Sequence, residues 1–277
     1  MFMNYCSLNG QLIQRADAKL AVDHIEFAYG FGVYENLKVR KKFVYFIDDH
    51  VDRLFHSAEV IGLDHFLKKD EIKKWMYNLI EKNNISDSNI KIILVGGKSA
   101  KDALLYIFTL APKFVEKKEY REGVKTITYP YERFMPEAKT LNMLPSYIIF
   151  KKAQEQKCFD ALLIDHNGNV TEGTRSNFFT IKDKKLYTPP VETVLDGVTR
   201  RTVIDCAEKN GYEIIEQEIA LKNIFDFDGA FFTNTSGKIV PIRMINETSF
   251  NMITDEIKTL QTCYDKYLDV YTRQYAK

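Results

Sequence analysis

Hydrophobic and polar positions in the first hundred residues follow the two-residue period of strands and the longer period of amphipathic helices. The run LKVRKKFVYFID predicts a β-hairpin that turns near residues 40–42. The run that follows, DDHVDRLFHSAEVIGL, predicts a helix capped by Asp48 or Asp49. A second amphipathic helix is predicted around residues 70–83, and the strands NIKIILVGG and ALLYIFTLAP come after it. This half of the chain therefore predicts an α/β domain.

Shorter strands separated by polar turns follow in the second half. Asn167–Gly168 lies between two strand-like runs, which is a strong hairpin signal. The run GVTRRTVIDCAEKNG predicts a helix, and a last helix is predicted from about residue 255. The charged run VEKKEYREG predicts an interdomain linker at residues 116–122. We therefore expect a domain over residues 1–115 and another over residues 123–277.

Composition narrows the class of protein and of partner. The chain has 277 residues, of which 45% are hydrophobic and 28% are charged, as in soluble globular proteins. Its 39 basic and 38 acidic residues give a net charge of +1, so no nucleic-acid or membrane partner is predicted. No run approaches the roughly 20 apolar residues of a membrane-spanning helix. The four cysteines lack CxxC spacing, and we see no signal peptide, so we expect free thiols and a cytoplasmic protein.

Three familiar sequence signatures are incomplete or missing. The run VGGKS follows a predicted strand, but a phosphate-binding P-loop needs glycine at the position of Ile92. The chain contains neither the HExxH pattern of zinc proteases nor the GxSxG pattern of serine hydrolases. We therefore predict no metal site.

Five other features combine polar chemistry with an unusual position. Lys139 stands in PEAKTLNML, before a predicted helix and among apolar residues, although a lysine is most often a surface residue. Residues 197–199 precede a helix and residues 233–237 form a hydroxyl-rich turn; both suit an anion, and both also suit an ordinary cap or turn. Arg53 and Glu172 stand beside apolar runs, where a partly exposed charge is the common case.

Taken together and in order, the runs HVDRL, KTLN, VTEGTRSNFF, LDGVTR and TSGKIVPIR resemble the class IV aminotransferase family. These fold-type IV enzymes use pyridoxal 5′-phosphate and include branched-chain aminotransferases, D-amino-acid aminotransferases and aminodeoxychorismate lyases. The resemblance covers nearly the whole chain. It implies an α/β (α+β) fold with a smaller N-terminal α/β domain and a larger C-terminal domain that has a β-barrel-like core.

The resemblance also implies a role for individual residues. Lys139 matches the lysine that bonds to the cofactor aldehyde, and Glu172 matches the carboxylate that faces the pyridine nitrogen. The phosphate-binding positions are Arg53, Val198, Thr199, Thr235 and, beside it, Ser236. The positions that line the substrate pocket are Tyr29 and Tyr34, and the candidate partners of a substrate carboxylate are Lys91 and Lys98. The chemistry suits these types, because a free amine attacks aldehydes and an ionised carboxylate keeps the ring nitrogen protonated.

By this resemblance the protein is expected to be a transaminase that moves an amino group between an amino acid and a 2-oxo acid such as 2-oxoglutarate. A branched-chain L-amino acid is the expected donor, because GGKSAKD lacks the arginine and histidine that D-amino-acid enzymes carry there. Aminodeoxychorismate lyase, D-amino-acid aminotransferase and a non-catalytic binding protein remain as alternatives. The family forms homodimers in which the partner contributes a loop to each active site, so a homodimer is also expected.

Overall fold

The structure, a computed structural model, describes residues 4–275. The chain forms two compact units. The first extends to Lys113 and includes the short segment Ala138–Asn142, and the second comprises Phe114–Glu137 and the chain from Met143 onward. Among residues 4–275, no helix is long and apolar enough to cross a membrane.

A six-stranded sheet and the helices packed against it make up the first unit. Its elements are β1 (Tyr5–Leu8), β2 (Gln11–Gln14), α1 (Ile25–Ala28), β3 (Gly32–Arg40), β4 (Phe43–Val44), α2 (Ile47–Val60), α3 (Lys69–Lys82), β5 (Ser88–Val95) and β6 (Leu104–Leu110). The strand order is β2-β1-β6-β5-β3-β4, and all neighbours are antiparallel. Alternate residues of β3 and β5 pack with α2 and α3 in one apolar core, as period-two patterning requires.

The predicted hairpin and the two predicted helices of this unit are confirmed, with one difference at a helix start. The hairpin turns at Lys41 and Lys42, which both have positive φ. Helix α2 begins after Phe46, whose backbone is left-handed and whose side chain caps nothing. Asp48 and Asp49 lie inside the first turn of α2 rather than at its cap. Their charges still favour this helix end, because the first turn carries the positive end of the helix dipole.

The second unit is built from short strands and four helices. Its elements are α4 (Lys117–Glu122), β7 (Val124–Pro130), α5 (Leu144–Glu155), β8 (Asp160–Ile164), β9 (Asn169–Gly173), β10 (Asn177–Lys182), β11 (Lys185–Thr188), α6 (Val198–Lys209), β12 (Glu213–Glu216), β13 (Ile219–Ala220), β14 (Gly229–Asn234), β15 (Lys238–Ile245), β16 (Thr248–Ser249) and α7 (Asp255–Tyr275). The hairpin predicted at Asn167–Gly168 joins β8 to β9, and Gly168 supplies the positive φ of its turn.

Six strands of the second unit close into a barrel. They pair in the order β10-β14-β15-β7-β8-β9, and the ring closes where Asn177 of β10 pairs with Glu172 of β9. Closure removes the exposed strand edges, and the inward side chains form an apolar core that includes Phe178 and Phe232. The predicted α/β fold with a β-barrel-like core is therefore confirmed.

The predicted linker at residues 116–122 contains helix α4. A capping box starts this helix, because the side chain of Glu116 accepts from the backbone of Glu119 and the side chain of Glu119 accepts from the backbone of Glu116. Charge and polarity indicated a linker, but reciprocal capping makes the same residues a helix start. The domain limits 1–115 and 123–277 stay predictions.

Candidate active site

The predicted catalytic lysine lies in a segment that pairs with β3. Thr140 forms an antiparallel bridge with Val33, and the backbone of Tyr34 donates a hydrogen bond to the carbonyl of Lys139 (2.9 Å). The backbone N–H of Lys139 donates to Oγ of Ser57 on α2 (3.0 Å). Backbone contacts on both sides therefore fix the residue from which the amine projects, and Lys139 is half-buried.

Two predicted site lysines share one aromatic ring. Nζ of Lys139 lies 4.7 Å from the ring centroid of Tyr34, and Nζ of Lys91 lies 5.0 Å from the same centroid. The register explains this meeting, since Lys91 of β5 pairs with Asn36, two residues along β3 from Tyr34. The structure thus brings Lys139, Tyr34 and Lys91 together. The other two predicted substrate residues are exposed: Tyr29 is 82% exposed, and Lys98 lies in the loop after β5.

Arg53 of α2 is buried in an ion pair that the sequence did not reveal. Its Nε donates to Oε1 of Glu35 (2.6 Å) and its Nη2 donates to Oε2 (2.9 Å). Nδ1 of His50, one helical turn before Arg53, lies 2.7 Å from the same Oε2. Burial opposes ionisation of Glu35, but the charges and hydrogen bonds of Arg53 and His50 outweigh it and hold the pKa of this carboxyl well below its usual range.

In the second unit, Glu172 is buried and held from two sides. Nε of Arg133 lies 2.8 Å from Oε1 of Glu172 as an ion pair, and the backbone N–H of Leu195 donates to Oε2 (3.2 Å). Arg133 was missed in the sequence because it lies in an irregular loop that has no periodicity. The carboxylate thus has a charged partner and a backbone donor, and both favour its ionised form.

The turn after Glu172 is organised by a second buried carboxylate. Oδ1 of Asp160 accepts from Oγ1 of Thr174 (2.5 Å), and Oδ2 accepts from Oγ of Ser176 (2.8 Å). Burial raises the pKa of Asp160, and these hydrogen bonds only partly oppose the rise. Because the bonded hydroxyls belong to the turn between β9 and β10, they fix the pairing of Glu172 with Asn177.

Helix α6 begins at the predicted phosphate-binding residues. Gly197 precedes it without a side-chain cap, and Val198 and Thr199 form its buried first turn. A Cβ at Gly197 would clash with Oδ1 of Asn177, so only glycine permits this close approach. The first backbone N–H groups of a 12-residue helix have no acceptor within the helix, and the helix dipole adds positive potential there. This helix start is suited to an anion.

Thr235 and Ser236 lie in the turn between β14 and β15, and both are half-buried. Oδ1 of Asn234 accepts from the backbone N–H of Gly237 (2.6 Å), and the hydroxyl of Tyr120 donates to the Gly237 carbonyl (3.0 Å). The turn is therefore held from within and from α4. Among residues 4–275, no group of three or more His, Cys, Asp or Glu side chains is placed to hold a metal ion.

Comparisons with known proteins agree with this chemistry. A model of the amino-transferase class IV family matches residues 32–245. A putative branched-chain-amino-acid aminotransferase of Methanocaldococcus jannaschii is 30% identical over 286 residues, covering 96% of each chain. A D-alanine aminotransferase of Bacillus licheniformis is 30% identical over 250 residues, covering 86% of this chain and 87% of its own.

Among solved structures, the branched-chain aminotransferase of the thermophilic archaeon Thermoproteus uzoniensis, solved with norvaline, superposes with a TM-score of 0.85 at 27% identity. The match covers 95% of this chain and 93% of that one, which establishes the shared fold. The family predicted from the sequence is thereby confirmed. The chain belongs to the class IV aminotransferases, enzymes that transfer amino groups with pyridoxal 5′-phosphate as cofactor.

Proposed function

We propose that this aminotransferase takes a branched-chain L-amino acid as donor and a 2-oxo acid such as 2-oxoglutarate as acceptor, with Lys139 as its catalytic amine. The observation that carries the proposal is the position of Lys139, half-buried and fixed through its backbone to β3 and α2. The name of the M. jannaschii relative supports the donor class. With the cofactor bound, Lys139 would supply the amine that bonds to its aldehyde, and Nζ of Lys139 would carry a proton to or from the substrate α-carbon.

The donor groups of this chain fit pyridoxal phosphate. Glu172 is buried beside Arg133 and the Leu195 N–H, and both partners favour the ionised form that suits a protonated ring nitrogen. The uncapped start of α6 at Val198 and Thr199 is suited to a phosphate. When bound, the cofactor supplies an electron sink for the reacting α-carbon.

Phosphate binding is assigned to residues that lie in different parts of the chain. They are Arg53, Val198, Thr199, Thr235 and Ser236. Arginine recognises phosphate through parallel N–H donors, and backbone N–H groups and hydroxyls add to this. These residues would hold the cofactor phosphate independently of any bond between the cofactor and Lys139.

Substrate binding is assigned to Tyr29, Tyr34, Lys91 and Lys98. Tyr34 and Lys91 have the strongest support, because the Nζ atoms of Lys91 and Lys139 both lie over the Tyr34 ring. The ring offers an apolar face to an aliphatic side chain, while Lys91 offers a cation to a carboxylate. Tyr29 and Lys98 are exposed, so their roles rest on the family resemblance.

A second candidate donor is D-alanine, because a D-alanine aminotransferase matches this chain at the same 30% identity. Initial rates with L-leucine, L-valine and D-alanine, each with 2-oxoglutarate, distinguish the two. Faster turnover of D-alanine would replace the branched-chain assignment. Release of pyruvate and 4-aminobenzoate from aminodeoxychorismate, without any acceptor, would identify a lyase instead.

We also propose that the protein is a homodimer in the cytoplasm. Large apolar side chains are exposed within one short segment of the first unit; they are Val22, Ile25, Phe27 and Tyr29. Exposed apolar clusters commonly mark contact surfaces. All four cysteines are free thiols, which suits a reducing compartment. Size-exclusion chromatography with light scattering tests the dimer, and an active monomer would contradict it.

The catalytic assignment is tested by Lys139→Ala. We expect the purified variant to lose the visible absorbance of a covalent lysine–cofactor bond and to lose at least about 10⁴-fold in turnover, because nucleophile and proton carrier disappear together. Lys152→Ala is the matched control, since this exposed lysine contacts Tyr129 in the second unit (Nζ to Oη 3.0 Å). If Lys139→Ala turns over like the control, the assignment is wrong.

A further inference from the structure

Glu35 occupies a position on β3 where the pattern of the strand calls for an apolar residue. Alternate residues of β3 point to the same face, so Glu35 shares its face with Val33 and Leu37. Both neighbours belong to the core that the sheet forms with α2, and Glu35 itself is 0% exposed. An ionised carboxylate in such a place needs charged and hydrogen-bonding partners. The presence of Glu35 in the core therefore needs an explanation in terms of the residues that it contacts.

The partners come from one face of α2. His50 and Arg53 are three residues apart and so project from the same side of the helix. Oε2 of Glu35 lies within hydrogen-bond distance of Nδ1 of His50, Nη2 of Arg53 and the backbone N–H of Asn36. Oε1 accepts from Nε of Arg53. Both oxygens of the Glu35 carboxylate are therefore fixed by hydrogen bonds.

Glu35 contacts one edge of the Arg53 guanidinium, and the two hydrogen bonds there fix the orientation of the whole group. An arginine side chain is a planar fork with five N–H donors, and Nε with Nη2 forms only one of its edges. Nη1 and the other Nη2 hydrogen form a second edge of the fork. Since two parallel bonds fix a plane, the carboxylate sets the direction in which that second edge points.

Charge and protonation support the same arrangement. Burial lowers the pKa of His50, and the nearby charges of Arg53 and Lys139 act in the same direction against the pull of Glu35. His50 is thus neutral near pH 7, so its Nδ1–H donates to Glu35 without adding a charge. The cluster then contains one anion, Glu35, and one cation, Arg53. The orientation of Arg53 is therefore set by its two hydrogen bonds to Glu35 and not by an excess of negative charge.

We propose that Glu35, supported by His50, is a positioning residue that orients the guanidinium of Arg53 for the phosphate of the cofactor before the cofactor binds. This inference rests on the proposed role of Arg53. It extends that role to Glu35 and His50, which act on Arg53 through hydrogen bonds. It also explains why a carboxylate is placed in an otherwise apolar core.

The test compares two ligands that differ only in the phosphate. Full-length protein is titrated with pyridoxal phosphate and with pyridoxal, and binding is followed by the visible absorbance of the bound cofactor. In Glu35→Asp the negative charge stays, but the side chain is one methylene shorter and draws the carboxylate away from Nε and Nη2 of Arg53. Removing the residue that orients a metal ligand costs about 10- to 100-fold in metal affinity, and by analogy we expect about tenfold weaker binding of pyridoxal phosphate and less than about twofold for pyridoxal.

Two further variants keep the result interpretable. Asn83→Ala removes a buried side chain that bonds the backbone of Tyr5 in the same unit, so it should lower stability and leave the ratio of the two affinities unchanged. His50→Gln leaves both charges of the ion pair in place and should lower pyridoxal phosphate affinity by about threefold, again with little effect on pyridoxal. Should Glu35→Asp not fold, His50→Gln carries the test.

Equal loss of both affinities in the Glu35 and His50 variants, or no loss of either, overturns the inference. A wild-type protein that binds both ligands equally overturns the inference as well, since Arg53 then does not bind the phosphate. Failure of the proposed function looks different: the wild-type protein would form no visible bond with either ligand. A wild-type preference for pyridoxal phosphate that survives Glu35→Asp rejects only the positioning role.

Discussion

The two units each bury a carboxylate completely, and they compensate its charge in opposite ways. Glu35 in the first unit meets a guanidinium and an imidazole, and its pKa lies well below the usual range. Asp160 in the second unit meets two hydroxyls and two backbone N–H groups, and its pKa lies above the usual value. Both have a full set of hydrogen bonds. At Asp160 the hydrogen-bond donors only partly oppose the effect of burial, whereas at Glu35 the charge of Arg53 helps to outweigh it.

This contrast separates two uses of a buried acid. Glu35 stays ionised, so it can hold a cation in a fixed orientation, and the proposed phosphate arginine is that cation. Asp160 accepts hydrogen bonds from the turn after Glu172, and its role is to order Thr174 and Ser176 in that turn. Replacing the acid by its amide at each position should therefore lower the free energy of unfolding by unequal amounts.

The largest effect is expected from Glu35→Gln. The amide leaves the charge of Arg53 buried without compensation and turns an N–H₂ group towards donors of His50 or Arg53. Breaking a buried ion pair from one side costs about 3–5 kcal/mol, so the free energy of unfolding should fall by that amount. Urea denaturation of the cofactor-free variant and wild type measures the difference.

The double variant Glu35→Met with Arg53→Met provides the control. Replacing both charges by apolar side chains of similar length removes the uncompensated cation, so most of the lost stability should return. If the double variant is as unstable as Glu35→Gln, the cost arises from packing at Glu35 and not from the charge of Arg53.

A smaller effect is expected from the pH dependence that His50 causes. Its pKa is lowered in the folded protein, so below its unfolded pKa of about 6.5 the unfolded chain binds a proton that the folded protein does not. Stability should therefore fall as the pH drops from 7 to 5, with a slope of at most about 1.4 kcal/mol per pH unit from this residue. Glu35 does not contribute in this window, because its carboxyl titrates only below about pH 4.3 in the unfolded chain.

The measurement is the difference between wild type and His50→Gln across pH 7 to 5. The pKa of His65 is also lowered by burial, but this residue is present in both proteins and cancels. The wild type should lose its advantage over the variant as the pH falls. Parallel stability curves would mean that His50 is protonated in the folded protein.

How far the sequence predicts this molecule differs between local and long-range features. Period-two and helical patterns were enough for the β3–β4 hairpin and for α2 and α3, because these depend on neighbours in the chain. The position of Lys139 was not predictable in this way, since its segment pairs with β3 more than a hundred residues earlier. The barrel was expected only from the family resemblance, as its closure depends on one distant strand pair.

Site residues missed in the sequence differ in the same respect. Glu35 could have been found, because it interrupts the apolar alternation of Val33, Leu37 and Val39 on one face of β3. His50 then follows as a polar residue on the buried side of α2, one turn before the predicted Arg53. Arg133 gave no such signal, since nothing in an irregular loop indicates which carboxylate its side chain will meet.

The smallest effect is expected from Asp160→Asn, the counterpart of the Glu35 change. The amide oxygen can take the place of Oδ1 and keep the bonds from Thr174 and Ala161, while the new N–H₂ group can donate to Oγ of Ser176. Because no buried cation loses its partner, the free energy of unfolding should fall by only about 1 kcal/mol.

The pKa of Asp160 is raised on folding, so its contribution is present below about pH 3.9 and is lost as the pH rises through the folded pKa. The wild-type advantage over Asp160→Asn should accordingly shrink as the pH rises from about 4, the reverse of the trend for His50. Urea denaturation at several pH values tests this, and a loss near that of Glu35→Gln would show that Asp160 is paired with a cation after all.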